Sequence, residues 1–192
     1  MGFLNIISKI YTCLITIPAF IISLFLIILN ILHLLGFFTI AYIVGFIPGR
    51  LGVLARRFWY KLSLKKCGKK LHVEFGAVII EKESEVGNNV YIGPMSHIDL
   101  AKIGDDALIS QGVVISGAKN AHGMNKNSIM RLQEGHKKKI IVGNDVWMGM
   151  HAVIMEDVND GCIIASMSLV NKKFEKYSII AGIPGKIIRK RK

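Results

Sequence analysis

The sequence predicts a mainly β chain: a solenoid of short stacked strands preceded by an apolar helical segment suited to a membrane. Three observations carry this reading. Aliphatic residues recur at a spacing of six through the second half. A run of 40 residues, Ile10 to Gly49, contains no charged residue. The charge is also divided unevenly between the two halves.

The chain has 192 residues, 52% of them hydrophobic, with 25 Lys and Arg against 13 Asp and Glu. That composition excludes a disordered chain and is more apolar than an ordinary soluble domain. Residues 1–73 hold nine bases and no acid, and the remainder is nearly balanced. Two parts with different surroundings follow. Three scattered cysteines, Cys13, Cys67 and Cys162, argue against a disulfide framework or zinc finger and fit a reducing setting.

As a helix the uncharged run would measure about 60 Å, roughly twice a bilayer core. It is too long for the apolar core of a signal peptide. Asn30, His33 and Gly36 mark a turn, giving helices near 10–29 and 37–48 that cross, re-enter, or form one tilted span. Residues 1–49 are therefore read as a membrane segment or hairpin. The flanking bases place the rest of the chain on the cytoplasmic face of the cell membrane. Residues 50–69 read as a basic amphipathic interfacial helix. Leu51, Leu54, Phe58 and Leu62 form its apolar stripe, and Arg50, Arg57, Lys61 and Lys65 its basic stripe. Trp59 and Tyr60 are expected at the interface with anionic lipid. Nucleic acid is not an expected partner, because these bases adjoin the apolar run rather than form a recognised motif.

An aliphatic followed by a small residue recurs as Val86-Gly87, Ile92-Gly93, Ile98-Asp99, Ile103-Gly104, Ile109-Ser110 and Ile115-Ser116. After a gap come Val142-Gly143, Met148-Gly149 and Ile154-Met155. A second small or β-branched position follows four residues later, as at Val90, Ser96, Ala107, Val113, Val146, Ala152 and Val158. A period of six is neither helical nor a simple strand alternation. It predicts coils that turn one aliphatic residue inward per side and stack one on the next. The stack is expected over 70–192, with residues 117–139 extruded as a loop.

Three segments carry a family resemblance: Ile141-Val142-Gly143-Asn144-Asp145-Val146-Trp147-Met148-Gly149, the loop triplet Ala121-His122-Gly123, and Tyr177–Lys186 with its Ala-Gly-x-Pro. With the repeats they resemble the hexapeptide-repeat acyltransferases of left-handed parallel β-helix fold, in particular sugar and polysaccharide O-acetyltransferases. The resemblance covers about residues 70–189. It implies a homotrimer that uses acetyl-CoA or a related acyl-CoA, with no metal.

Acyl transfer from a thioester to a hydroxyl needs a proton acceptor, an oxyanion donor and a slot for CoA. Of six histidines, His122 stands at the start of the extruded loop, where the resemblance places the catalytic imidazole. His33, His72, His97 and His151 read as structural or solvated, and His136, beside Lys137–Lys139, as solvated. The resemblance assigns Met150, Ser166, Asn171, Lys172, Lys186 and Arg189 to CoA. Asp99 is a candidate for binding the acceptor or orienting His122, and Trp147 for lining the substrate side. The stretch Asn159–Cys162 is about two residues shorter than the usual coil.

The expected function is a membrane-attached O-acetyltransferase acting on a sugar hydroxyl in surface polysaccharide or a precursor, possibly lipid-linked. The alternatives are a non-catalytic membrane-tethered scaffold and a zinc-dependent, carbonic-anhydrase-like branch of the same fold. Residues 1–66 are expected to be dispensable for CoA binding.

Overall fold

The computed structural model describes residues 2–118 and 122–192, with side chains from Tyr11 on. The chain begins with three helices, α1 (Gly2–Ile31), α2 (Phe37–Gly45) and α3 (Gly49–Ser63), and then forms the β-helix the sequence predicts. One parallel sheet holds β1 (Lys66–Cys67), β4 (Glu85–Val86), β7 (Ala101–Ile103) and β10 (Ile140–Val142). The second holds β2 (His72–Val73), β5 (Tyr91–Ile92), β8 (Leu108–Ile109), β11 (Trp147–Met148), β13 (Ile163–Ile164) and β15 (Ser178–Ala181). The third holds β3 (Val78–Ile79), β6 (His97–Ile98), β9 (Val114–Ile115), β12 (Val153–Ile154) and β14 (Leu169–Val170). The chain visits the sheets in that order, so they form the sides of a three-sided prism. We call its edges first–second, second–third and third–first. A reversing turn through Gly182 and the cis Ile183–Pro184 bond returns β16 (Lys186–Lys190) antiparallel to β15.

The six-residue period has a direct cause in this geometry. Each side needs one inward aliphatic, and parallel pairing stacks like on like: Val73 beside Ile92, Ile92 beside Ile109, Ile109 beside Met148, and Met148 beside Ile164. All are buried, and each lies about 4.8 Å from the next coil. The second small position is buried too, from Val90 and Ser96 to Val146 and Ala152. Val158 is an exception to its expected place. It pairs with Val142 and is itself an inward rung of the first sheet. The short coil therefore loses its residues at 155–157, one corner earlier than Asn159–Cys162. Ile154 to Val158 takes four steps where Ile98 to Ile103, at the same corner of an earlier coil, takes five.

Along the first–second edge, Asn88, Asp105, Asn144 and Asp160 form a ladder. The Asn88 Oδ1 accepts the Lys69 N–H, and Asp105 Oδ1 the Asn88 N–H. Asn144 Oδ1 accepts the Asp105 N–H, and Asp160 Oδ1 the Asn144 N–H, all within 2.7–2.9 Å. The next residue at each level, Asn89, Asp106, Asp145 or Gly161, has positive φ, between 52° and 66°. Asn and Asp tolerate that conformation better than other side chains.

The helices correct the reading of the N-terminal part. α1 and α2 form on either side of the expected turn, where Asn30 Nδ2 donates to Leu35 O and His33 has φ +57°. But α2 is no second membrane helix. Its Ile40 and Val44 belong to the same core as Val73 and Ile79, and Gly76 N–H donates to Gly45 O, so it caps the open end of the prism. α3 ends at Ser63, short of the expected 69, and Trp59 and Tyr60 are fully buried rather than interfacial. Tyr60 Oη accepts the Ile79 N–H at 2.9 Å, and burial pushes the phenol pKa up. Basic groups of α3 close unpaired carbonyls of the first coil: Arg57 Nε donates to Leu71 O and Lys61 Nζ to Cys67 O. Arg56, fully buried, joins three elements, with Nε on Val73 O and Nη1 within 3.0 Å of the Val44, Gly45 and Ile47 carbonyls. A cation suits the C-terminus of α2. Burial pulls its pKa down, and nearby Tyr60 and Glu74 oppose that shift. Of the apolar stripe, Leu51, Leu54 and Phe58 pack on α1, while Leu62 is exposed. The solenoid begins at Lys66, within the segment read as interfacial helix.

Candidate active site

The third–first edge carries the loop. It leaves after β9 and returns at β10, and its neck is tight. Lys138 N–H donates to Gly117 O at 3.0 Å, and a Cβ on Gly117 would fall 1.6 Å from Lys138 O. No residue with a side chain fits there unless the strands part. Inside the loop Gln133 is the brace. Its Oε1 accepts the Asn125 N–H at 2.7 Å, and its Nε2 donates to Asn125 O and Ser128 O at 2.8 Å. A short 3-10 turn, Met130–Leu132, precedes it.

His122 is exposed and lines an open cavity of about 240 Å³ with Gly123, Met124, Glu134, Gly135 and His136. Ala121, the first residue of the expected triplet, lies outside the described residues. His136 is thus a neighbour of His122 rather than only a solvated residue. Among the described residues no three His, Cys, Asp or Glu side chains converge as metal ligands.

Sequence reasoning missed what holds the loop. Each of the three lysines beside His136 reaches an acid of the solenoid. Lys137 meets Glu81 at 3.2 Å and Asp99 at 3.3 Å, Lys138 meets Glu156 and Asp157, and Lys139 meets Glu85 at 3.3 Å. Hydrogen bonds from these lysines hold Glu85 and Glu156 below the usual carboxylate range. Burial works against Asp157, but the Ile141 N–H, Lys173 and Lys138 bring it below that range as well. The Asp99 carboxylate is buried against Lys137 and the Ser116 hydroxyl, 3.4 Å away. It anchors the return leg of the loop.

The other predicted residues fall at four places. Met150 and Ser166 occupy successive levels of the second–third edge, since Met148 pairs with Ile164, and both are exposed. Asn171 and Lys172 lie on the third–first edge, the one that carries the loop, two coils beyond it. Lys172 and Lys186 share a cleft of about 390 Å³ with Lys173, Phe174, Glu175 and Ile187. Lys172 also lies over the Phe174 ring, 5.6 Å from its centre. Arg189 stands opposite Ile179 on β16, outside the residues lining that cleft. Trp147 is half exposed on the outer face of the second sheet, its Nε1 3.4 Å from Ser110 Oγ. Of the histidines read as structural, His72 meets Glu74 at 2.9 Å and His97 Nδ1 is 3.5 Å from Tyr42 Oη.

The fold and this loop define a class: a left-handed parallel β-helix that presents an exposed histidine from a braced insertion. The comparisons point the same way. No protein-family model matches the chain. It is 49% identical over 53 residues to a chloramphenicol acetyltransferase of Agrobacterium fabrum, a match covering 27% of this chain and 25% of that protein. It is 31% identical over 116 residues to the galactoside O-acetyltransferase of Escherichia coli K12, covering 54% of this chain and 55% of that enzyme. The chain thus spans about a quarter to about half the length of these relatives. Two solved structures share its fold. One is a maltose O-acetyltransferase from Clostridium difficile 630, with TM-score 0.69, 17% identity, and 79% and 83% of the two chains covered. The other is a galactoside acetyltransferase in complex with coenzyme A, with TM-score 0.66, 24% identity, and 79% and 77% covered. The relatives of this chain are hexapeptide-repeat acetyltransferases.

Proposed function

We propose that this chain is a membrane-attached O-acetyltransferase that moves an acetyl group from acetyl-CoA to a sugar hydroxyl, with His122 as general base. The observation that carries the reading is the loop. Its neck, its Gln133 brace and three lysine contacts hold an exposed imidazole beside an open cavity, at the position the resemblance gives the catalytic histidine. Histidine suits the role because its ordinary pKa, about 6.5, leaves it largely neutral at cell pH. His122 takes the proton of the acceptor hydroxyl, and the oxygen attacks the thioester carbonyl. The carbon–sulfur bond breaks, and the imidazolium returns its proton to the departing CoA thiolate. Lys172 and Lys186 are the cations we assign to the CoA phosphates.

The residues assigned to the donor are spread over two edges of the prism, which supports a site completed by a second copy and hence a homotrimer. The outward residues agree. On the first sheet they are Lys66, Glu85, Lys102 and Ile141. On the second they are His72, Tyr91, Leu108, Trp147, Ile163 and Ile179, a more apolar side that suits contact with a neighbour. Attachment to the membrane is supported by α1, whose residues Tyr11–Ile31 are long and apolar enough to cross a bilayer. One side of α1 packs on α3, and the other exposes Leu14, Ile17, Ile21, Phe25 and Ile28.

The test is thiol release by the detergent-purified chain given acetyl-CoA and a panel of saccharides. The reading expects release that depends on both. CoA binding with no release for any hydroxyl acceptor would remove the enzymatic reading, and failure to bind CoA at all would favour a scaffold.

A further inference from the structure

The second–third edge carries an apolar patch that the residues assigned to CoA do not use. The edge has one corner per coil, at 74–77, 93–96, 110–113, 149–152 and 165–168, and beyond Glu74 these corners hold no Asp, Glu, Lys or Arg. Met150 and Ser166 stand on the fourth and fifth corners. Phe75 and Met95 stand on the first and second, exposed by 36% and 51%, and Phe46, just after α2, is exposed by 52%. These three form one patch. The Phe46 and Phe75 rings meet edge to face at 5.6 Å, and the Met95 thioether lies on Gly76, where a Cβ would stand 2.3 Å from its Sδ. Met95 has φ +56°, at the step where the first and third coils place Gly76 and Gly112. A methionine in that conformation is uncommon, and here it lays its side chain along the outside of the edge.

We propose that this patch binds an apolar group joined to the hydroxyl acceptor, so that the acceptor is an amphiphilic glycoside rather than a free sugar. The inference rests on the acyl-transfer site proposed above and names its acceptor class. Position is the first argument. CoA held by Lys172, Lys186, Ser166 and Met150 covers the fourth and fifth corners. The loop with His122 leaves after the third coil and returns as the fourth, which sets the level of the thioester. The acceptor then enters over the first three corners. Chemistry is the second argument. On those corners the exposed side chains are Phe75, Met95 and Gln111. The Gln111 amide pairs with a hydroxyl, and the other two, with Phe46, offer only apolar surface. A free sugar satisfies the amide and leaves that surface in water, against the cost of exposing an apolar patch. A neighbouring copy does not cover it. In the shared site this edge faces the neighbour's third–first edge, whose first corner carries Glu81, Lys82 and Glu83, charges that stay hydrated.

The test measures thiol release from acetyl-CoA by the full chain held in amphipol. The acceptors are matched methyl and octyl β-glycosides of glucose, galactose and mannose, all below their micelle concentrations. A buried methylene is worth about fourfold, so the octyl member of the preferred pair should exceed the methyl member by about thirtyfold or more in kcat/KM, chiefly through KM. Met95→Asn suits the left-handed backbone and should lower that ratio about tenfold. Adding Phe46→Ser should bring the ratio close to one. A melting curve accompanies the double variant, and Met95→Asn alone decides if that variant does not fold. Lys102→Gln, on the first sheet, should leave the ratio at its wild-type value. Equal kcat/KM for methyl and octyl glycosides, or a ratio that Met95→Asn does not change, would overturn the proposal while the acetyltransferase reading stands. No release from any pair by a chain that binds CoA removes both. Turnover of 1-octanol as fast as of the octyl glycosides keeps the apolar subsite and removes the sugar.

Discussion

Asp99 and Lys137 show how residues distant in sequence tie down the loop that carries His122. Asp99 lies almost wholly buried at a corner of the prism, and Lys137 crosses from the loop to reach both it and Glu81. The neighbouring lysines repeat the contact on other acids. Asp99→Asn is expected to leave the solenoid folded, with melting lowered by only a few degrees, and to loosen the loop. Amide exchange over 122–136 should rise and turnover should fall, without loss of CoA affinity. The pairs also fix a pH response. Glu85, Glu156 and Asp157 titrate below their ordinary values, so their contribution is complete above roughly pH 4–4.5. It is lost as pH falls through the lower folded values. Lys137 and Lys138 are shifted up by their acid partners, so their contribution persists below the ordinary lysine value and is lost only at higher pH. Melting temperature is therefore expected to be flat between about pH 6 and 9 and to drop below about pH 4. At the imidazole itself, His122→Ala should lower kcat by about 10²–10⁴ with melting and CoA affinity little changed. Near-normal turnover would move the role to His136, its neighbour in the cavity. Only half of this was legible beforehand. The histidine and its loop could be read from the break in the repeat. The anchoring acids could not, because they lie 38 or 56 residues from Lys137 and their pairing needs the coils stacked.

At the scale of elements, α3 is the joint between the two parts of the chain. Its apolar side meets α1, and Arg56, Trp59 and Tyr60 meet the first coil. Periodicity predicts two faces, borne out for Leu51, Leu54 and Phe58 but not for Leu62, and does not say which neighbour each would find. An aromatic pair next to an apolar run fits a lipid interface and a capped solenoid equally well by pattern. The solenoid wins because the first coil has no coil before it, and its carbonyls and inward aliphatics need cover. Trp59→Ala is expected to cost about 3–5 kcal/mol, read as a large fall in denaturant midpoint. A chain starting at Lys70 loses β1 along with this cap and is expected to aggregate rather than fold. That reverses the expectation that residues 1–66 are dispensable, and soluble, cooperative unfolding of the truncated chain would restore it. The repeat itself was legible from Val86 to Ile154, down to inward residues such as Ile92, Ile98, Ile109 and Ile115. The short corner at 155–157 was misplaced because Val158 satisfies two patterns, four after Ile154 and one coil after Val142.

For the molecule as a whole, the prism separates the residues that the proposed reaction must bring together. His122 projects from the third–first edge, whereas Met150 and Ser166 stand on the second–third edge. Two copies can join them where one cannot, and closed threefold symmetry repeats that junction three times. Detergent-corrected mass of the purified chain should accordingly be that of a trimer. The most direct measurement mixes two inactive chains. One carries His122→Ala, and the other carries Ser166→Trp to block the opposite edge. They are denatured, mixed in equal amounts and refolded, or co-expressed and purified through two tags. A site shared between copies predicts that acetyl transfer returns in the mixture to about a quarter of the wild-type level, the share of junctions that pair an intact histidine with an intact edge under random assembly. A mixture as inactive as its parents, in trimers verified to contain both chains, would contradict the shared site.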